Sequence, residues 1–503
     1  MYKSCRAAVF LLLVVVGIPG LAVPAISEPA TVKRVPLPRP RPMVTTAAIP
    51  ASADPQAITV AFMSREPLNG AARPATSERD VAAVKRTIDL IRSGRRAEAA
   101  EFERTIDDPL TRKLAEWIIL RDDNNDVNFS RYNAFILENP GWPSLGMFRR
   151  RAEAMLWQER ADPATVRVFF ASIRPITCKG RLALARALLA QGDRVRAQAY
   201  VNETWRLDPM PRDLEVQAFE EFHDLITRAD DKARMASRFY ANDNDAALRA
   251  AERLGGMDLA IAQAWMAVNT KAANANTLIE AVPVSAREDA GYMFSRVQWL
   301  RHNNRIAEAG QLMLTAPRDP AQLYDVDEWW IERRVLARKL LDIGESKSAY
   351  LIVRDAAQPT KENYRVDQMF TTGWIALRFL HDATSAASYF ARIPDFSQNP
   401  IALARSGYWM GRALEGANRP QEARVHYQRA ARYTTAYYGQ LARARLGLGE
   451  LALAPPPRLT AEQRAALARL EVVRAAEILY AADARDLVAP MVADLAEKLP
   501  DIG

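Results

Sequence analysis

The chain has 503 residues, 49% of them hydrophobic and 25% charged, enough apolar material for a large core and too much for a disordered polymer. Glycine supplies only 21 residues, about 4% against a usual ~7%, which disfavours phosphate-binding loops and sheets full of tight turns. Two Cys and four His leave almost nothing for zinc, iron–sulfur or His-based sites, and a formal charge of +8 is too small a surplus to argue for nucleic acid.

At the amino terminus, Lys3 and Arg6 precede an apolar run from Ala7 to Val16, which Gly17, Pro19 and Gly20 end. A charged start, a short apolar run and small residues near Ala22 or Ala25 read as a secretory signal peptide over residues 1–25. A retained anchor is the alternative, although the run is well short of the ~20 residues a span needs. Cys5 lies ahead of the run, so lipidation is not supported, and cleavage leaves Cys178 alone with no disulfide to form. No later stretch reaches the length of a membrane span. An exported protein without a membrane span after cleavage is expected.

Residues 26–76 read as a basic, Pro-rich linker. Arg39 and Arg41 alternate with Pro between Val35 and Pro42, a pattern that blocks helix and sheet and favours a stiff polyproline rod. It is either a tether attracted to anionic polymers or a plain spacer.

From Ser77 onward apolar residues recur every three or four positions, the mark of amphipathic helices. Six pivot residues are each followed five places later by Ala: Gly94, Gly192, Asn304, Gly344, Asp382 and Asn418. A large apolar residue stands eight places after the first five, and Tyr427 nine places after the sixth. Gly and Asn best tolerate the left-handed conformation that ends a helix, and a small residue then lets the next helix cross closely. The last pivots recur at close to the ~34-residue period of tetratricopeptide-like pairs. The spacing therefore predicts an all-α fold, an α-superhelix of helix pairs over residues 77–447, with amphipathic helices over 448–503.

Two segments are more specific: Asn139-Pro-Gly-Trp-Pro143 with the helix after it, and Tyr408-Trp-Met-Gly-Arg-Ala-Leu414 leading to Ala436-Tyr-Tyr-Gly-Gln-Leu-Ala442. With the leader and the array, they make the chain resemble soluble lytic murein transglycosylases from about Arg79 onward. The resemblance implies a periplasmic protein of peptidoglycan metabolism, in a family that cleaves between N-acetylmuramic acid and N-acetylglucosamine and leaves a 1,6-anhydro end. It further implies a ring-shaped helical region, closed by linker helices that begin after Ala454-Pro-Pro-Pro457. Peptidoglycan or cell-wall proteins are the implied partners.

That family's catalytic Glu stands immediately before Ser, ahead of a Gly-Leu-Met-Gln-type segment, in a domain after the linker. The one Glu-Ser here, Glu345-Ser346, sits in a helix-pair turn with no such segment after it. A glycosidic acid needs a dry cleft to raise its pKa, which an exposed turn does not give. No catalytic residue is therefore assigned, and the chain reads as the family's helical scaffold without a catalytic domain. The alternative is a periplasmic scaffold that binds proteins or glycan with no enzymatic role.

No cofactor or metal site is expected either. Asp122, Asn124 and Asp126 have calcium-loop spacing, but Val127 stands where Gly is needed and Asn133 where Glu is needed. Asp325, Asp327 and Glu328 read as the capped start of a helix. His302 and His381 lie beside pivots, and Cys178 reads as a structural thiol. Four aromatics remain as candidate glycan or partner contacts. Trp329 and Trp330 point about 100° apart on a helix, so one could face the groove as a stacking platform, although packing of both in the core is the simpler reading. Tyr437 and Tyr438 carry the same two readings.

Overall fold

Five of the six expected pivots turn the chain as their residue type requires. Gly94, Gly192, Asn304, Gly344 and Asn418 all have φ between 57° and 87°. In each case the next amide donates back to the carbonyl five residues earlier, for example Arg95 N to Leu90 O at 2.8 Å and Arg419 N to Leu414 O at 2.9 Å. These leucines thus do two things: the side chain is buried and the carbonyl closes the cap. The Ala five places after each pivot is buried where the second helix crosses the first.

This computed structural model describes residues 77–123, 126–449 and 459–498. The expected leader, the Pro-rich linker, Asn124 and the Pro run at 454–457 lie outside them. Among the described residues all regular structure is helical, in pairs such as Ala290–His302 with Ile306–Thr315 and Pro400–Gly416 with Pro420–Ala430. No helix among them is long and apolar enough to cross a membrane.

Two details of the pattern change. The fifth pivot is His381, with φ 55°, and not Asp382, which instead caps the next helix by accepting from Ser385 N. Counted from His381, the crossing residue becomes Ala386, which is buried, while Ala387 is not. The residue that fills the groove also sits nine places after the pivot more often than eight: Val201, Met313, Val353, Phe390 and Tyr427 are all buried. Positions five and nine lie one helical turn apart, so they share a face.

Three apolar clusters follow one another along the array. The first runs from Val84 to Leu225, the second from Met235 to Ile375, and the third from Val366 to Ala442. Between the first and second lies a polar seam. Glu215 takes Arg249 and, at 3.2 Å, the fully buried Arg234, while Asp231 accepts from Trp205 Nε1 at 3.0 Å and from Arg253 at 2.7 Å.

The first cluster also contains Val472, Ala475, Ile478, Leu479 and Met491. The Glu471–Ala481 helix packs on the Glu78–Arg92 and Pro109–Arg121 helices, so the end of the array returns to its beginning. Glu471 is the clasp. It accepts from Lys113 Nζ at 2.7 Å and from Trp142 Nε1 at 2.8 Å. Burial works to raise its pKa, but these two donors outweigh that and hold it below the usual carboxylate range. The Asn139–Pro143 segment thereby acquires a role, since its Trp142 is buried against Phe135 and reaches the returning helix.

Candidate functional site

The first helices of the last three pairs, Val326–Asp342, Glu362–Phe379 and Pro400–Gly416, lie side by side. Their second helices take the buried Ala, which leaves the first helices to present larger side chains. Phe370 and Trp374 are four residues apart on one face of the middle helix and only partly covered, and Phe379 at its end is exposed. Together with Val335, Arg338 and Lys339 they line a groove of about 600 Å³.

From that groove an aromatic strip continues across the next pair. Phe370 meets Trp409 edge-on at 6.0 Å, Trp409 meets Tyr438 at 6.4 Å, and Tyr438 meets Tyr437 at 5.1 Å. The Arg405 guanidinium lies 4.2 Å over the Phe370 ring, and burial pushes its pKa down against the opposing pull of Asp367 and Tyr438. Arg405 Nε and Trp409 Nε1 are buried donors with no acceptor among the described residues. Donors of this kind recur along the array, at Arg121, Arg234 and Arg333 among others, and an ordered water or a ligand completes them. The strip can stack sugar rings on its aromatic faces and hold carboxylates or hydroxyls on its guanidinium edge.

The four sequence candidates separate. Tyr437 is 67% exposed and ends the strip, and Tyr438 lies half-covered behind it. Trp329 and Trp330 are 1% and 0% exposed, and neither presents a face to solvent. Trp329 Nε1 donates to Tyr240 Oη at 2.7 Å and Trp330 Nε1 to Asp367 at 3.3 Å. Pointing about 100° apart is not awkward here, because helices pack on both sides of this one and each ring finds its own neighbour. Phe370 and Trp374 are not among the sequence candidates, and Trp409 enters the sequence reading only as part of the Tyr408–Leu414 motif. The i, i+4 spacing of the first two was the available signal.

The other candidate groups are occupied with structure. Glu345 is exposed at the pair turn and touches Ser348. Asp122 pairs with Arg96. Asp325 caps its helix, and Asp327 accepts from Thr360 N and Oγ1 at 2.7 Å each. His302 is exposed, and partial desolvation with Arg301 beside it lowers its pKa, while burial raises that of the Cys178 thiol.

No family model matches the chain, and no curated protein matches it. Solved structures do. The lytic transglycosylase Slt of Pseudomonas aeruginosa, an inactive mutant, superimposes with a TM-score of 0.58 at 15% identity, over 84% of this chain and 66% of that one. The 70-kDa soluble lytic transglycosylase of Escherichia coli gives 0.53 at 14%, over 84% and 66%. A 70-kDa soluble lytic transglycosylase in complex with bulgecin A gives 0.52 at 14%, over 83% and 66%. The chain thus spans just under two thirds of these proteins' length. The helix-pair array of this chain has the superhelical fold of the soluble lytic transglycosylases.

Proposed function

We propose that the protein is an exported, periplasmic scaffold of the peptidoglycan lytic transglycosylase type, whose helical array engages wall glycan. The observation that carries this reading is the partly exposed aromatic strip from Phe379 to Tyr437, laid across adjacent pairs of a transglycosylase fold. Sugar rings offer C–H faces to aromatic planes, and a row of such planes suits a linear glycan better than a compact ligand. We assign the lytic step to none of the described residues. Glu345, the one Glu-Ser carboxylate, is exposed at a helix-pair turn, whereas a glycosidic acid works from a dry cleft.

Binding of soluble glycan chains to the purified protein tests the proposal. Trp374→Ala and Tyr437→Ala should each weaken binding roughly five- to ten-fold, the scale of a typical interface anchor worth about 1 kcal/mol or slightly more. Full affinity in both variants, with unchanged thermal melts, would remove the strip from the glycan path.

A further inference from the structure

The last helix pair carries a second surface that the strip does not use. Residues Asn399 to Gly449 contain eight Arg, two Glu and neither Lys nor Asp, so this segment holds six of the chain's eight net positive charges. Most arginines at the helix-pair turns have a carboxylate in reach. In this same pair Arg419 meets Glu422 at 2.6 Å, and Glu415 takes both Arg412 at 3.2 Å and Arg445 at 3.6 Å. Both acids are thereby used. Arg424, Arg429 and Arg432 are left exposed on one face, with Gln421, Val425 and Gln428 between them. As far as Arg429 the spacing of this row, i, i+3, i+4, i+7 and i+8, is that of a single helical stripe, Arg432 follows in the turn past the helix end, and Ala423, Tyr427 and Ala430 are buried on the other side.

We infer that this face docks the acidic stem peptides of peptidoglycan, an inference that rests on the wall-binding reading above. Guanidinium forks match carboxylates two bonds at a time, which suits a peptide with several carboxylates better than a neutral sugar. Arg424 and Arg429 stand five residues, ~7.5 Å, apart on the Pro420–Ala430 helix, and Arg432 lies in the turn just past its end. The sugar chain and its peptide would thus meet different chemistry on neighbouring surfaces: aromatic planes for one and a basic stripe for the other.

Co-sedimentation of the full-length protein with intact sacculi, and direct binding to the soluble, peptide-free glycan strands that an amidase releases from them, test this. Replacing Arg424, Arg429 and Arg432 together with Gln should weaken binding to intact sacculi roughly ten-fold at physiological salt and leave binding to the peptide-free strands unchanged. All three positions are exposed, so an unchanged thermal melt is expected and is checked alongside. The triple Lys variant should recover part of the loss. If the triple Gln variant binds intact sacculi as the parent does, while Trp374→Ala still weakens binding to both, this inference falls and the glycan reading stands. If the parent binds neither the sacculi nor the strands, both fall. Preferential binding to anionic phospholipid vesicles would also overturn it, in favour of a membrane contact.

Discussion

Gly439 shows what a short motif can conceal. It lies in the Tyr437–Arg445 helix, and a Cβ there would stand 2.0 Å from the backbone oxygen of Tyr433. No residue but glycine fits, and the neighbouring Tyr437 and Tyr438 owe their position to that close approach. Gly141, in the other motif, has nothing within 4 Å of where its Cβ would be. The two glycines look equivalent in the sequence, and only the packing tells them apart. Gly439→Ala is therefore expected to cost roughly 1–3 kcal/mol, while Gly141→Ala should stay within about 0.5 kcal/mol of the parent. Denaturant unfolding of the two variants checks the contrast. Trp142 teaches the same lesson, since its role is to reach Glu471 far along the chain, and no local pattern encodes that contact.

Helix pairs were the most legible level, because a pair is set by residues near one another in sequence. A left-handed cap needs Gly or Asn, and a close crossing needs Ala; both requirements are local. The pattern failed where another residue type took the cap. His381 accepts the left-handed conformation although Asp382 beside it is the more usual choice, because Asp382 is engaged as an N-cap. Asn242 is a full pivot, with φ 58° and a buried Ala247 five places on. Arg238 stands four places before it, the backbone bond from Asp243 N to Arg238 O being indifferent to the side chain, and Ala250 and Ala251 stand where the other units carry a large apolar residue, so only half of the pattern is legible there. The crossing itself is tightest in the last pair. A Cβ on Gly407 would come within 3.1 Å of Ala430, and one on Gly411 within 2.5 Å of the Tyr427 ring. Ala423 is buried at the same crossing. Ala423→Leu should force these helices apart at a cost of about 1–3 kcal/mol. In a quasi-linear array the damage should stay within the Pro400–Ala430 pair and its neighbours. Hydrogen exchange that is faster there and unchanged near Leu188 is the expected result.

At the scale of the molecule, stability has two unlike sources. Along the array each pair leans on the next through apolar clusters, interrupted once by the ionic seam around Arg234 and Glu215. Across the array, the Glu471–Ala481 helix joins the first cluster, and Lys113 and Glu471 meet although 358 residues separate them. In a flexible chain such a contact would carry a large loop-closure entropy. Here the stacked pairs pre-position the two ends, so most of that cost is borne by the folding of the array itself. The spacing predicted helices after residue 448 but not what they touch, because that depends on how far the whole array curves; only the family resemblance implied that they close the ring. The returning helix is short and gains its order from packing, chiefly through Leu479, which is fully buried among N-terminal side chains. Leu479→Ala should cost roughly 2–5 kcal/mol, comparable to the whole stability of a docked helix pair of this size. The expected outcome is local release: amides over 471–491 lose protection together, and those of the Ala290–Arg354 pairs keep theirs. Hydrogen exchange with peptide resolution separates this from the alternative. Loss of protection along the entire array would mean that closure holds every pair in place, and that the pairs are not independent units leaning on their neighbours.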